Sequence, residues 1–193
     1  MNITDPFSIF MDWYQEAIDA GITDPTIMTL ATADPKGQPA ARIVLLKSFD
    51  EKGFVFYTNY HSRKGVDLDR NPRSALVIHW RETGRQVRIE GNTEKVPAAV
   101  SDRYFESRPR GSQLGAWASE QSREIPSGAY MDESLKRWEA EFRDNPVPRP
   151  PHWGGYRVIP DRIEFWSDRE NRMHERMLFE KTERDWVRKR LAP

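Results

Sequence analysis

The stretch Arg42-Ile43-Val44-Leu45-Leu46-Lys47 decides how the chain is read. Four large apolar residues, two of them β-branched, stand between two cations, and that middle has the composition of a buried strand. A cation at each end has two explanations. The stems can pack while the charged heads reach water, or the heads can meet an anion, since guanidinium and ammonium groups are natural phosphate donors. These residues alone leave both open. Side chains alternate along a strand, so Arg42 and Lys47 face opposite sides unless a bulge intervenes. A regular strand cannot offer both to one phosphate.

Working outward, Thr26–Ala33 reads as a strand, and Asp34-Pro35-Lys36-Gly37 turns it into the quoted one, which is expected to run to about Phe49. Asp50-Glu51-Lys52-Gly53 turns again into Phe54–Asn59. Three strands on two tight turns predict an antiparallel meander. Upstream, Asp5-Pro6 is an N-cap followed by a first-turn proline, and Phe7, Phe10, Met11, Tyr14, Ala17 and Ile18 mark the apolar face of a helix that Gly21 stops. Downstream, Ser62 caps a short helix ending near Asn71-Pro72. Its first residues, Arg63 and Lys64, read first as an ordinary solvated helix start and also suit a phosphate.

Ser74–Trp80 and Arg85–Val96 are strands; in the second, Val87 and Ile89 alternate with Gln86, Arg88 and Glu90. Pro97 opens a helix through Tyr104 and Phe105. The loop Arg108–Gln113 breaks it with two arginines, a glycine and a serine, which is anion-binding chemistry, and Leu114–Trp117 reads as a short apolar turn. Asp132–Asp144 is an amphipathic helix, and Val147–Pro151 is an extended connector. Gly155–Val158 and Arg162–Trp166 are strands around Pro160-Asp161, followed by Met177–Glu180 and a last strand from Asp185. Six to eight strands on tight turns, with helices outside, predict an α+β antiparallel barrel, one domain over residues 1–193.

The bulk numbers exclude several functions. Lys+Arg and Asp+Glu are 30 each in 193 residues, so no global basic field gathers nucleic acid or anionic membrane. Without cysteine there is no disulfide, thiolate metal site or cysteine nucleophile. No apolar run approaches ~20 residues and no signal peptide opens the chain, so a cytoplasmic protein is expected. No GxGxxG follows a strand, and there is no Walker loop or GxSxG elbow. His61, His79, His152 and His174 lack metal-ligand spacing, so no metal is expected. Only His174 has arginines close on both sides, Arg172 and Arg176.

Nine stretches in order resemble the pyridoxine/pyridoxamine 5′-phosphate oxidase family: RIVLLK (42–47), VFYTN (55–59), SRKG (62–65), RQVRIEG (85–91), YFESRPRGSQLGAWAS (104–119), QS (121–122), IEFW (163–166), RMHER (172–176) and the terminal RLAP. The resemblance implies an antiparallel split β-barrel with flanking α-helices, a homodimer, and FMN bound at the subunit interface. By motif position, Arg42, Ile43, Val44, Leu45, Leu46, Lys47, Tyr57, Thr58, Arg63 and Lys64 would line FMN from one subunit. Gln86, Gln121, Ser122, Trp166 and Arg176 would complete that site, some from the partner. Lys47, Tyr104, Arg108 and Ser112 would hold a substrate phosphate. Arg172, Met173 and His174 would sit over the substrate ring, with Arg172 and His174 as the catalytic pair. Arg42 and Lys47 then serve two anions in two directions. The implied reaction oxidises pyridoxine or pyridoxamine 5′-phosphate to pyridoxal 5′-phosphate, with dioxygen reduced to hydrogen peroxide. Two departures stand out. Met173 occupies a position where leucine is expected, a nearly volume-neutral change. The chain also starts at the first helix, where longer relatives carry an arm that can close over the site. Alternatives on the same fold are a phenazine-type oxidase, a deazaflavin reductase and a non-catalytic flavin or pyridoxal phosphate binder.

Overall fold

In the computed structural model, which describes residues 5–193, the quoted stretch is cut in two. Strand β1 (Ile27–Ala33) pairs antiparallel with β2 (Pro39–Leu45), while β3 (Ser48–Asp50) pairs with β4 (Gly53–Asn59). Between the hairpins Leu46 turns into the core, its N–H donating to the Thr26 carbonyl at 2.9 Å, and the Lys47 N–H donates to Val55 at 2.8 Å. The expected three-strand meander is therefore two hairpins, because burying Leu46 takes the chain out of one ladder into the other. Nor is β2 buried. It alternates exposed and half-buried residues, with Ile43 60% and Leu45 36% exposed. It is an edge strand whose apolar side faces a cleft.

The remaining strands are β5 (Arg73–Trp80), β6 (Arg85–Lys95), β7 (Trp153–Ser167), β8 (Glu175–Lys181) and β9 (Trp186–Leu191). The sheet runs β2-β1-β5-β6-β7-β4-β3, with β8 and β9 added beside β7. Its two end strands, β2 and β3, are joined by Leu46-Lys47. The sheet must therefore curl until its edges approach, which gives a barrel split along that seam. The segments on either side of Pro160, expected as two strands, form one strand of 15 residues. Pro160 has no N–H to give the ladder, and a register shift between Glu90 and Gly91 lies opposite it. A Cβ on Gly91 would overlap the Ile159 carbonyl. Around this bend β7 changes partner: residues 153–158 pair with β4, and 162–167 with β8.

Among the described residues, five α-helices pack around the barrel. In α1 (Pro6–Asp19), Asp5 accepts from the N–H groups of Phe7 and Ser8 at 3.1 and 3.0 Å, and Phe10 is fully buried against Phe49 and Phe54. The others are α2 (Arg63–Arg70), α3 (Ala98–Glu106), α4 (Arg110–Ala118) and α5 (Ala129–Phe142). Leu114–Trp117, expected as a turn, is helix. Pro109 starts α4. Burial of Leu114 and Ala116, with Trp117 4.7 Å from Trp138 of α5, offsets the low helix propensity of Gly111 and Gly115. The barrel core includes Phe10, Leu30, Phe54, Phe56, Ile89 and Phe165, and a second cluster under the helices holds Phe105, Leu114, Val147 and Trp153. β4 separates the two: Phe54 and Phe56 point into the barrel, and Tyr57 packs on the helical cluster.

Candidate active site

A cleft of about 640 Å³ opens between β2, the end of β4, the start of α2 and the α3–α4 pair. It brings together Ile43, Val44, Leu45 and Lys47, then Tyr57, Thr58 and Lys64, then Tyr104, Arg108, Ser112 and Gln121. Among the described residues its walls carry three cations, Lys47, Lys64 and Arg108, and no carboxylate.

Lys64 is placed by the N-cap of α2, where Ser62 Oγ accepts from the Gly65 N–H at 3.4 Å. Gly65 is required, since a Cβ there would overlap the Tyr60 carbonyl. Lys64 is 8% exposed, and its ammonium donates to neutral oxygens: Thr58 Oγ1 at 3.1 Å, Ser62 Oγ at 3.2 Å and Gln121 Oε1 at 3.2 Å. Burial, and then the nearby Arg42 charge, pull its pKa down to about 8. Arg42 stands behind the cleft wall. Its Nη1 donates to Thr32 Oγ1 at 2.7 Å and to the Leu30 carbonyl at 3.3 Å, and Thr32 donates in turn to Asp67 at 2.8 Å. Burial lowers the Arg42 pKa, opposed by Asp67 and reinforced by Arg63.

Also in the lining, the Arg108 guanidinium carbon lies 4.6 Å from the Trp153 ring centroid. Its Nη1 is buried without a hydrogen-bond partner, and burial lowers its pKa. A buried donor left unpaired costs about 1–3 kcal/mol. Tyr57 and Tyr104 stack at 3.9 Å beside it, and burial, then Tyr104, raise the Tyr57 phenol pKa. Arg110, which shares the loop motif, turns away instead. It donates to the carbonyls of Asn145, at 2.8 Å, and of Arg143, closing the end of α5.

The other expected residues lie elsewhere. Gln86, Trp166 and Arg176 are register partners and form one row across β6, β7 and β8, on one face. His174 lies 4.6 Å from the Trp166 ring; its Nδ1 is 3.1 Å from Asp168 Oδ1 and 3.3 Å from the Arg169 amide, which donates to it. Arg172 is exposed and follows Asn171, both left-handed with φ of 62° and 56°, and Met173 is 66% exposed. The Arg176 guanidinium is held bidentately by Glu164 at 2.8 and 3.1 Å and donates to the Ala192 carbonyl at 3.0 Å; the Glu164 hydrogen bond raises its pKa. His174 and Arg176 line a second cleft of about 360 Å³ with Trp13, Arg85 and Arg190. Arg63 and Ser122 are exposed outside both clefts, and Leu46 is in the core. One chain thus divides the expected set between the first cleft, the β6–β8 side and positions outside both.

Sequence reasoning missed Trp153 and Glu164. A signal existed for each. Gly154 and Gly155 follow Trp153, and a Cβ on either would overlap the ring of Tyr60 or Tyr57, so the glycine pair marks close aromatic approach. Glu164 is a carboxylate inside an apolar strand, which requires a buried partner.

The comparisons agree with this architecture. Residues 14–141 match the family model described as pyridoxamine 5′-phosphate oxidase, and residues 153–193 match the one described as pyridoxine 5′-phosphate oxidase C-terminal dimerisation region. The pyridoxine/pyridoxamine 5′-phosphate oxidase of Cyanothece sp. is 53% identical over 189 residues, covering 98% of this chain and 89% of that one. The enzyme of the same name from Burkholderia lata is 53% identical over 192 residues, with the same coverage of both chains. PhzG from Burkholderia lata, solved in complex with tetrahydrophenazine-1-carboxylic acid, superposes with a TM-score of 0.94 at 29% identity, over 100% of this chain and 94% of that one. A pyridoxamine 5′-phosphate oxidase-related, FMN-binding protein from Nostoc punctiforme shares the fold, with a TM-score of 0.78 at 16% identity over the whole of both chains. The cation-lined cleft therefore sits in a flavin-type split barrel, and the chain belongs to the pyridoxine/pyridoxamine 5′-phosphate oxidase family of oxidoreductases.

Proposed function

We propose that residues 1–193 form one FMN-binding split-barrel domain that oxidises pyridoxine 5′-phosphate or pyridoxamine 5′-phosphate to pyridoxal 5′-phosphate in the cytoplasm. With the alcohol, substrate and dioxygen give aldehyde and hydrogen peroxide. With the amine, one water is also consumed and ammonia released. The observation that carries this reading is the cleft with three cations and no carboxylate, in which one ammonium has only neutral partners and one guanidinium nitrogen has none. Buried charge of one sign is stabilised by anions entering the site. Three cations from separate elements in one cleft, Lys47, Lys64 and Arg108, suit two phosphates, one of the cofactor and one of the substrate.

The residues present fit FMN. Lys64 and the α2 N-terminus would hold its phosphate, with Arg42 and Arg63 adding positive potential. The apolar faces of Ile43 and Leu45 would lie against its ring system. Bound there, FMN supplies a two-electron acceptor that can be reoxidised by dioxygen. This chain's own part is positional. Lys47, Tyr104, Arg108 and Ser112 anchor the substrate phosphate, and anchoring at a distance fixes the reacting carbon. Arg172 steers that carbon, and His174, held between Trp166 and Asp168, offers a hydrogen bond to its substituent. Because the Gln86–Trp166–Arg176 row lies outside the first cleft, a second copy of the chain completes the site, and activity requires the dimer.

A second reading has an observation in its favour, the 0.94 superposition on PhzG. Burkholderia lata supplies relatives of both kinds, however, and identity is 53% to its oxidase against 29% to PhzG. Lys47→Ala and Arg172→Leu variants test the assignment. Turnover of pyridoxine 5′-phosphate falls by orders of magnitude while FMN stays bound; unchanged turnover in either variant contradicts the assignment of that residue.

A further inference from the structure

Among the described residues no carboxylate pairs with Arg108, so something else must hold its guanidinium at the cleft wall. The candidate is Trp153, the first residue of β7. Its indole is 7% exposed and lies under the Arg108 guanidinium carbon at 4.6 Å, closer than the Phe105 ring at 5.6 Å. The ring is itself fixed. Tyr57 lies nearly parallel to it at 5.4 Å, and Phe105 meets it edge-on at 5.2 Å. Its backbone is tied as well: the Trp153 N–H donates to Pro150 at 3.1 Å, and its carbonyl accepts from Arg149 Nη1 at 2.6 Å, while Arg149 Nε is held by Asp102 at 2.6 Å. An aromatic face attracts a guanidinium while consuming none of its N–H donors. Arg108 lines the cleft, and the ring holds its guanidinium without occupying the donors that face the cleft.

We propose that Trp153 is the positioning residue of this site, holding Arg108 in the orientation that makes the cleft select ligands carrying a phosphate ester. This rests on reading the cleft as the substrate phosphate site. A carboxylate in the place of Trp153 would hold Arg108 equally well but would neutralise it and occupy its donors. The ring holds it and leaves both charge and donors for the ligand.

The test is a double-mutant cycle in the FMN-loaded protein, using Trp153→Leu, Trp153→Phe and Arg108→Met. The probes are 4-deoxypyridoxine 5′-phosphate and 4-deoxypyridoxine, which lack an oxidisable 4′ substituent and report binding alone. Wild type binds the phosphorylated probe at least a hundredfold more tightly than the free alcohol. Trp153→Leu weakens the phosphorylated probe roughly tenfold and leaves the unphosphorylated one unchanged. Trp153→Phe, which keeps a ring face, restores most of the loss. In the Arg108→Met background Trp153→Leu has no further effect. With pyridoxine 5′-phosphate as substrate the defect appears chiefly in KM. If Trp153→Leu does not give folded, FMN-loaded protein, Trp153→Met takes its place in the same cycle. An equal loss in the Arg108→Met background or with the unphosphorylated probe, or no loss at all, overturns the proposal while the phosphate site stands. A wild type that does not prefer the phosphorylated probe removes the phosphate reading and the proposal with it.

Discussion

The sharpest consequence of the buried Lys64 ammonium is a pH dependence of cofactor binding. Its folded pKa is lowered from 10.5 to about 8. At about 1.4 kcal/mol per unit, holding the charged form in the apoprotein costs on the order of 3 kcal/mol. Because the folded pKa lies below the unfolded one, the penalty is fully present below pH 8. It is relieved as pH rises from 8 toward 10.5, so this group makes the apoprotein more stable with rising pH in that window. A phosphate dianion against Nζ favours the ammonium and raises its pKa again. Binding above pH 8 must then take up a proton, and affinity for FMN falls by up to about tenfold per pH unit. The assay is quenching of FMN fluorescence by apoprotein at intervals from pH 7 to 9.5, with Lys64→Met as control to remove the titration of the flavin itself. At pH 7 the variant binds more weakly by about 2 kcal/mol, roughly thirtyfold, and the two affinities converge as pH rises. A constant ratio of wild-type to variant affinity across this range would refute the reasoning.

Other substitutions separate stability from function. Arg108→Met removes an unpaired buried donor, so chemical denaturation should show apoprotein stability unchanged or higher by about 1 kcal/mol, while affinity for a phosphorylated ligand falls at least tenfold. Gly65→Ala drives a Cβ into the Tyr60 carbonyl; a loss of about 2 kcal/mol or more in a urea melt should accompany weaker FMN binding, because the start of α2 and Lys64 move together. Glu164→Gln strips the charge that Arg176 and Arg88 share and, with both arginines still partly in water, should lower stability by about 1 kcal/mol, with urea unfolding as the readout. Asp5→Ala removes the acceptor for the Phe7 and Ser8 amides and should cost about 1 kcal/mol in thermal melts, without altering FMN affinity.

Much of this molecule is legible in its sequence because local rules and tertiary structure agree. The Asp5 and Ser62 caps, the Asp34–Gly37 turn and the alternation of Val87 and Ile89 all stand where the residues put them. The failures have physical causes. Leu46 breaks the central strand because a buried leucine outweighs continuity of a ladder, and nothing in RIVLLK distinguishes the fourth apolar residue from the third. Pro160 does not end its strand, because the register shift between Glu90 and Gly91 opposite it removes the need for its missing N–H. Gly111 and Gly115 hide α4, whose helix is secured by tertiary burial. Lys47, Tyr104, Arg108 and Ser112, from separate segments of the chain, all line the first cleft. The row of Gln86, Trp166 and Arg176 could not be read from spacing alone, since only the β6–β7–β8 register makes these residues neighbours. Glu164 escaped for the same reason: its partners Arg88 and Arg176 come from the strands on either side.

The central claim is that this chain binds FMN and passes two electrons to it from a phosphorylated pyridoxine. The most direct measurement is the visible spectrum of the FMN-loaded protein during anaerobic addition of pyridoxine 5′-phosphate, followed by admission of air. The account predicts that the yellow flavin bleaches, that pyridoxal 5′-phosphate appears in equal amount, and that air restores the colour with formation of hydrogen peroxide. A flavin that binds but stays oxidised in the presence of substrate, or a protein that takes up no FMN, would contradict it.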